Sequence, residues 1–269
     1  MCSADKLLRS LGLPFITLLA ATACGGGGGG GGSDAPPPPP PVEDASPGGI
    51  WSGPVAFSTG EVYEAAGVVT ELGFFRFFDE QGQQLFGQLT VSGTSVTGRG
   101  NWALELGDST PAGSTFGTVT LSGTIVERSR MTGSFTSTGD QGDRFSGTIS
   151  FNYDPLYDRD SSLSTISGTY ISDGEVLTID SQGRVFSQDP GTDCVLNGLV
   201  SIIDARYNAY NIGFEIANCT GQEAILNGLD FNGLAVLDNS FPPDDVLIFQ
   251  VDGEFLGGII VATEAYLKQ

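Results

Sequence analysis

Carboxylates are the only acid–base groups that this chain carries in number. It has 32 Asp and Glu against 11 Lys and Arg, no histidine, and a formal net charge of −21 over 269 residues. Without histidine there can be no Ser-His-Asp hydrolase, no Cys-His protease and no His-ligated zinc or haem. The lysines are Lys6 and Lys268, one near each end, so a buried Schiff-base lysine is not expected. Two carboxylates flanking a glycosidic bond are the enzymatic design that remains. However, Glu61, Glu64, Glu71, Glu105, Glu215 and Glu254 are scattered, and no spacing selects two of them. The Gly-x-Ser-x-Gly nucleophile elbow is absent, and no Ser-x-x-Lys of the kind used by penicillin-binding enzymes occurs beyond Ser3-Ala4-Asp5-Lys6 at the start of the chain. The expectation is a non-enzymatic protein, with a carboxylate-based glycan hydrolase as the remote alternative.

Three acidic groups have the oxygen chemistry to hold calcium: Asp154/Asp158/Asp160, Asp189/Asp193 and Asp244/Asp245. Calcium takes six to eight oxygens, which loops supply readily. The first group is the best candidate because it falls between two β-rich stretches. None has the spacing of an EF-hand, and aspartates beside proline also make ordinary turns. No other cofactor is expected. Cys194 and Cys219 read as a structural disulfide, because no C-x-x-C and no neighbouring Lys or His marks a redox pair. Their strands are out of phase. Leu196, Val200 and Ile202 share the Cys194 face, whereas Tyr210, Ile212, Phe214 and Ile216 lie opposite the Cys219 face. A one-residue bulge somewhere between the cysteines would reconcile the two.

The elements that must hold these groups are strands. Phe145, Gly147, Ile149, Phe151 and Tyr153 alternate with Ser146, Thr148, Ser150 and Asn152. Gly117, Val119 and Leu121 alternate with Thr118, Thr120 and Ser122. This period of two, with polar faces of Thr and Ser, predicts antiparallel sheet with one solvated face. The best helical stretch, 160–166, is under two turns. The fold class is all-β, in two antiparallel barrel or sandwich units at 50–153 and 166–269, joined by a connector at 154–165. Glycines recurring within the strands favour closed barrels. The shared turns Asp79-Glu80-Gln81-Gly82 and Asp180-Ser181-Gln182-Gly183 point either to a diverged duplication or to convergent turn chemistry. Phe74-Phe75-Arg76-Phe77-Phe78 puts aromatics on both faces of one strand. One face therefore needs a cover, and Phe74, Phe75, Phe77 and Phe78 are the expected ligand or partner surface unless the two units cover it themselves.

Ahead of the strands, Lys6 and Arg9 precede an apolar stretch at 11–20 that is shorter than the ~20 residues needed to span a bilayer. Ala21-Thr22-Ala23-Cys24 then resembles the lipobox of bacterial lipoproteins. The resemblance implies a signal peptide over 1–23 and a diacylglycerol and an amide-linked acyl chain (palmitate-type) on Cys24. With Gly25 next, it also implies transport to the outer membrane. The duller alternative is ordinary cleavage, leaving a secreted protein. Gly25 to Gly32 and Pro36 to Pro41 follow, a floppy segment and then a polyproline stretch of roughly 19 Å. Residues 24–49 are thus expected to be a lipidated, disordered tether.

Gly49-Ile50-Trp51 resembles the Gly-x-Trp that opens lipocalins, eight-stranded barrels that hold apolar ligands. A tethered pair of Gly-rich β units also resembles surface lipoproteins of the transferrin-binding class. Together these imply an outer-membrane-anchored binding or adhesion module, facing periplasm or cell surface, for a protein, a glycan or a small apolar ligand. The alternative is an envelope structural or assembly component. The negative charge argues against nucleic acid and anionic lipid headgroups as main partners.

Overall fold

The structure is a computed structural model that describes residues 43–239 and 246–269. It contains two closed antiparallel barrels, each of eight strands that pair in chain order and close last onto first. The first barrel comprises β1 (Gly49–Phe57), β2 (Val62–Val69), β3 (Phe74–Asp79), β4 (Gln84–Ser92), β5 (Ser95–Ala103), β6 (Phe116–Val126), β7 (Arg130–Gly139) and β8 (Arg144–Asp154). The second comprises β9 (Gly168–Ser172), β10 (Glu175–Ile179), β11 (Arg184–Gln188), β12 (Val195–Ile202), β13 (Tyr210–Ala217), β14 (Leu229–Asp238), β15 (Val246–Phe255) and β16 (Gly258–Lys268). Closure leaves neither sheet with a free edge strand. Among the described residues the one α-helix, α1 (Leu163–Ile166), is a single turn capped by Ser162, whose side chain accepts the Thr165 N–H at 3.0 Å.

The alternation in sequence becomes an inside and an outside. Ile149 and Phe151 join the first core, with Trp51, Phe77, Trp102, Met131 and Phe135. The intervening Ser and Thr residues face out. Interior glycines here act as sockets for rings. Gly67 stands between Trp51 and Phe77 on the adjacent strands, Gly117 opposite Trp102, and Gly147 between Phe57 and Phe135. A Cβ on Gly117 would lie 2.5 Å from Trp102 Nε1, and one on Gly147 would lie 2.7 Å from Phe135 Cε1. The second barrel repeats the device with Gly198 opposite Phe214. Its core is filled by rings, with Phe214 stacked on Phe231 at 5.5 Å and Phe249 on Tyr266 at 5.9 Å.

The Asp-x-Gln-Gly turns do share one geometry. In each, the N–H of Gly82 or Gly183 bonds back to the carbonyl of Asp79 or Asp180, and the glycine takes a φ of 79° or 81°. This is a type I turn closed by a left-handed residue, the setting for glycine in a bulged hairpin. The same back-bonding recurs at Thr70/Gly73, Thr110/Gly113 and Gly139/Gly142. Moreover, the Asp turn joins the third and fourth strands of one barrel but the second and third of the other. Recurrent turn chemistry accounts for the shared motif without a duplication.

The cysteine phase problem resolves at one residue. β12 and β13 run in register to Val195↔Ala217, so Asn218 would oppose Cys194, yet Cys194 bonds to Cys219. Asn218 is the extra residue, with φ 63°. Asn227 then fixes Cys219 from both sides, accepting its N–H at 2.7 Å and donating to its carbonyl at 3.0 Å.

Folded structure begins ahead of the expected end of the tether. The Ala45 N–H bonds to the Gly93 carbonyl at 2.8 Å, and Trp51 Nε1 donates to the Pro47 carbonyl at 3.1 Å. Residues 44–48 therefore pack on the first barrel, and the compact body starts at Asp44. The connector is equally fixed: the Asn208 N–H bonds to the Tyr157 carbonyl at 2.9 Å, and Tyr157 stacks on Tyr207 at 5.0 Å. Around this stack, Val68 of the first barrel meets Ala209 and Leu234 of the second.

Candidate functional site

The lumen of the first barrel is the site with a ligand's chemistry. β3 aims Phe75, Phe77 and Asp79 inward, β7 supplies Met131 and Phe135, and β8 supplies Phe151. Phe77 stacks on Phe151 at 4.9 Å and lies 5.9 Å from Phe75, while Phe57 meets Phe135 edge-on at 5.4 Å. These rings leave a cavity of about 50 Å³. That is room for a few water molecules or the end of a slender chain. The opposite end of the barrel is shut by Trp51, by residues 44–48, and by Arg128, which donates to the Tyr153 hydroxyl at 2.6 Å and pairs with Asp158.

Among the described residues Asp79 is the single carboxyl lining this lumen. It is 5% exposed. Its Oδ1 accepts the N–H groups of Gln81 at 2.9 Å and Gln83 at 3.0 Å, and no described residue donates to Oδ2. Burial raises its pKa to about 6, against the opposing pull of those two N–H bonds. Asp180 makes the same turn with the opposite result. Its bonds from the Arg184 backbone and guanidinium lower its pKa, and it stands in solvent. One local motif thus serves as a solvated turn in one barrel and as a buried acid in the other.

The aromatic run divides between these surroundings. Phe75 and Phe77 line the lumen, whereas Phe74 and Phe78 face outward, Phe74 at 51% exposure. Between the outward pair, Arg76 reaches the second barrel, pairing with Asp252 and donating to the Asn232 carbonyl at 2.8 Å. The other barrel thus supplies part of the cover that the run required.

The calcium groups do not converge. Asp154 caps the 3-10 turn Pro155–Asp158 by accepting the Leu156 N–H at 2.9 Å, Asp158 pairs with Arg128, and Asp160 is exposed. Asp189 closes its own loop through Gly191 and Thr192. Among the described residues no set of three acids or cysteines is placed to hold a metal ion. Cys24, Asp244 and Asp245 lie outside the described residues. Among the described residues lining the lumen there is no second carboxylate to complete a glycosidase pair. Asp79 escaped attention in the sequence as anything but a turn residue. The signal was its phase, two places beyond Phe77 on the same face.

Compared with known proteins, the chain matches no family model and no curated protein. Among the described residues no helix is long and apolar enough to cross a membrane.

Proposed function

We propose that the chain is a non-enzymatic envelope lipoprotein, held at the outer membrane through Cys24, whose first barrel binds a slender, mainly apolar molecule carrying a basic or hydrogen-bond-donating end. The observation that carries this reading is Asp79, a largely buried carboxyl lining an aromatic lumen, whose Oδ1 is taken by two backbone N–H groups and whose Oδ2 is bonded by no described residue. An amine placed there would satisfy that oxygen and favour the ionised acid, while the rings hold the apolar chain. The cavity is small, so a ligand enters by turning rings such as Phe77 and Phe151. Anchoring rests on the lipobox resemblance, and the glycine and proline segment supplies reach from the membrane.

The test is displacement of an apolar fluorescent probe by a linear alkylamine and by the alcohol of the same length, at pH 5 and pH 8. The amine should compete best at pH 8, where Asp79 is ionised, and Asp79→Asn should remove its advantage over the alcohol. If the probe never enters, or if Asp79→Asn leaves the amine's advantage intact, the lumen is a filled core. The envelope assembly role then becomes the leading reading. Native mass spectrometry after incubation with envelope extract would identify the natural ligand by its mass.

A further inference from the structure

The outer face of β5, β6, β7 and β8 is a regular grid. The strand registers align four rows across the four strands: Asn101–Thr118–Thr138–Arg144, Arg99–Thr120–Thr136–Ser146, Thr97–Ser122–Ser134–Thr148 and Ser95–Thr124–Thr132–Ser150. By sheet geometry the positions repeat at about 4.8 Å across strands and about 7 Å along them. Every position is a hydroxyl, the one amide of Asn101, or an arginine. Hydroxyls of facing residues touch, with Thr120 and Thr136 at 2.8 Å, Thr124 and Thr132 at 3.3 Å, and Ser122 and Ser134 at 3.4 Å. Most of the grid is exposed.

Charge makes this face unlike the rest of the molecule. In a chain of net charge −21, the grid contains no Asp or Glu. Arg76, Arg128, Arg184 and Arg206 all pair with carboxylates. Arg99 and Arg144 pair with none among the described residues, and neither does Arg130, whose Nη2 donates instead to Ser150 Oγ at 2.9 Å just below the lowest row. The three lie on this one face. Arg76, by contrast, projects from β3 towards the second barrel, which also touches the Asn101 end of β5 through β16, beyond these three arginines.

We propose that this face binds an anionic polysaccharide, a chain of sugars bearing carboxylates at intervals. Guanidinium forks match carboxylates in geometry as well as charge, and ranked hydroxyls can both give and accept hydrogen bonds to sugar hydroxyls. The grid carries no aromatic ring, so it offers no stacking platform for nucleic-acid bases or for the faces of neutral sugars. Its positive charges are also sparse within an acidic molecule, which suits a partner of lower charge density than a nucleic acid. This inference is independent of the lumen.

The test is affinity electrophoresis of the full chain through gels containing polygalacturonate, neutral dextran or duplex DNA, at low and moderate salt. Retardation by polygalacturonate alone, weakening with salt, is expected. Replacing Arg99, Arg130 and Arg144 together by Gln should weaken it by roughly tenfold or more. Thr120→Glu with Ser134→Glu should do the same, without loss of the far-ultraviolet dichroism of the barrel. Equal retardation by dextran, stronger retardation by DNA, no retardation at all, or undiminished binding by the triple variant would each overturn the proposal.

Discussion

Arg76 of the first barrel forms an ion pair with Asp252 of the second, with side chains 12% and 27% exposed. The same guanidinium donates to the Asn232 carbonyl at 2.8 Å and lies 5.2 Å from the Phe86 ring. An arginine in the middle of an aromatic strand is thus one of the points at which two separately closed barrels are joined, besides the cluster around Tyr157 and Val68. Burial lowers the Arg76 pKa, opposed by the attraction of Asp252, as expected of a charge that is out of water and held by its partner.

Removing one member of the pair strands the other. Arg76→Met should destabilise the protein by about 2 kcal/mol, because Asp252 loses its partner in a half-buried position. The double change Arg76→Met with Asp252→Leu should recover much of that loss, since apolar replacement of both partners removes the uncompensated charge. Urea unfolding of the four proteins reads this directly. Simple additivity of the two single changes would show that the pair contributes no coupling.

Asp79 makes stability depend on pH. Its folded pKa of about 6 lies above the value near 3.9 of an unfolded aspartate. The folded state therefore holds the proton more tightly. This contribution is fully present below about pH 4 and is lost as pH rises through 6, reaching about 3 kcal/mol. Asp79→Asn, which keeps an oxygen for the two N–H groups, should gain stability relative to the parent at pH 8 and little at pH 4.5. Urea midpoints at these two pH values test it; a gain equal at both would place the cause elsewhere than in ionisation.

The ring sockets are sensitive to one carbon. Gly117→Ala would bring a Cβ within 2.5 Å of Trp102 Nε1 and 2.2 Å of the Thr138 carbonyl. The expected cost is about 2 kcal/mol or more, as for other overpacked cores. Trp102 fluorescence and near-ultraviolet dichroism should change with it. An unaltered tryptophan signal would mean that the strand relaxes without disturbing the ring.

The disulfide acts on the second barrel. Its sequence separation of 25 corresponds to about 3.5 kcal/mol of unfolded-state restriction in the chain-entropy model. Replacing Cys194 and Cys219 by Ala should lower stability by that order. Hydrogen exchange should show the loss in β12 and β13 while the first barrel stays protected. Uniform loss across both barrels would instead show that they unfold as one unit.

Much of this architecture is written locally. The alternation from Phe145 to Tyr153 is a choice of face made residue by residue. Asp, Gln and Gly at fixed offsets encode a turn that closes through contacts no more than four residues long. The two cysteines needed only each other, because few other cysteines compete. For the same reason the sequence could state that a bulge was required and could not say that Asn218 forms it. A bulge is set by which registers the neighbouring strands accept. Closure of each sheet, pairing of Arg76 with Asp252, and alignment of the Ser and Thr residues into four rows are all long-range events. They depend on strand stagger, which no single strand contains. Asp79 and Asp180 show the division most directly. Their local sequence and turn are alike, so the sequence determined their geometry. Only the tertiary structure decided that one would face an apolar lumen and hold its proton to about pH 6, while the other stands in water beside Arg184. A carboxyl's ionisation is governed by the medium around it, and that medium is assembled from strands far apart in the chain.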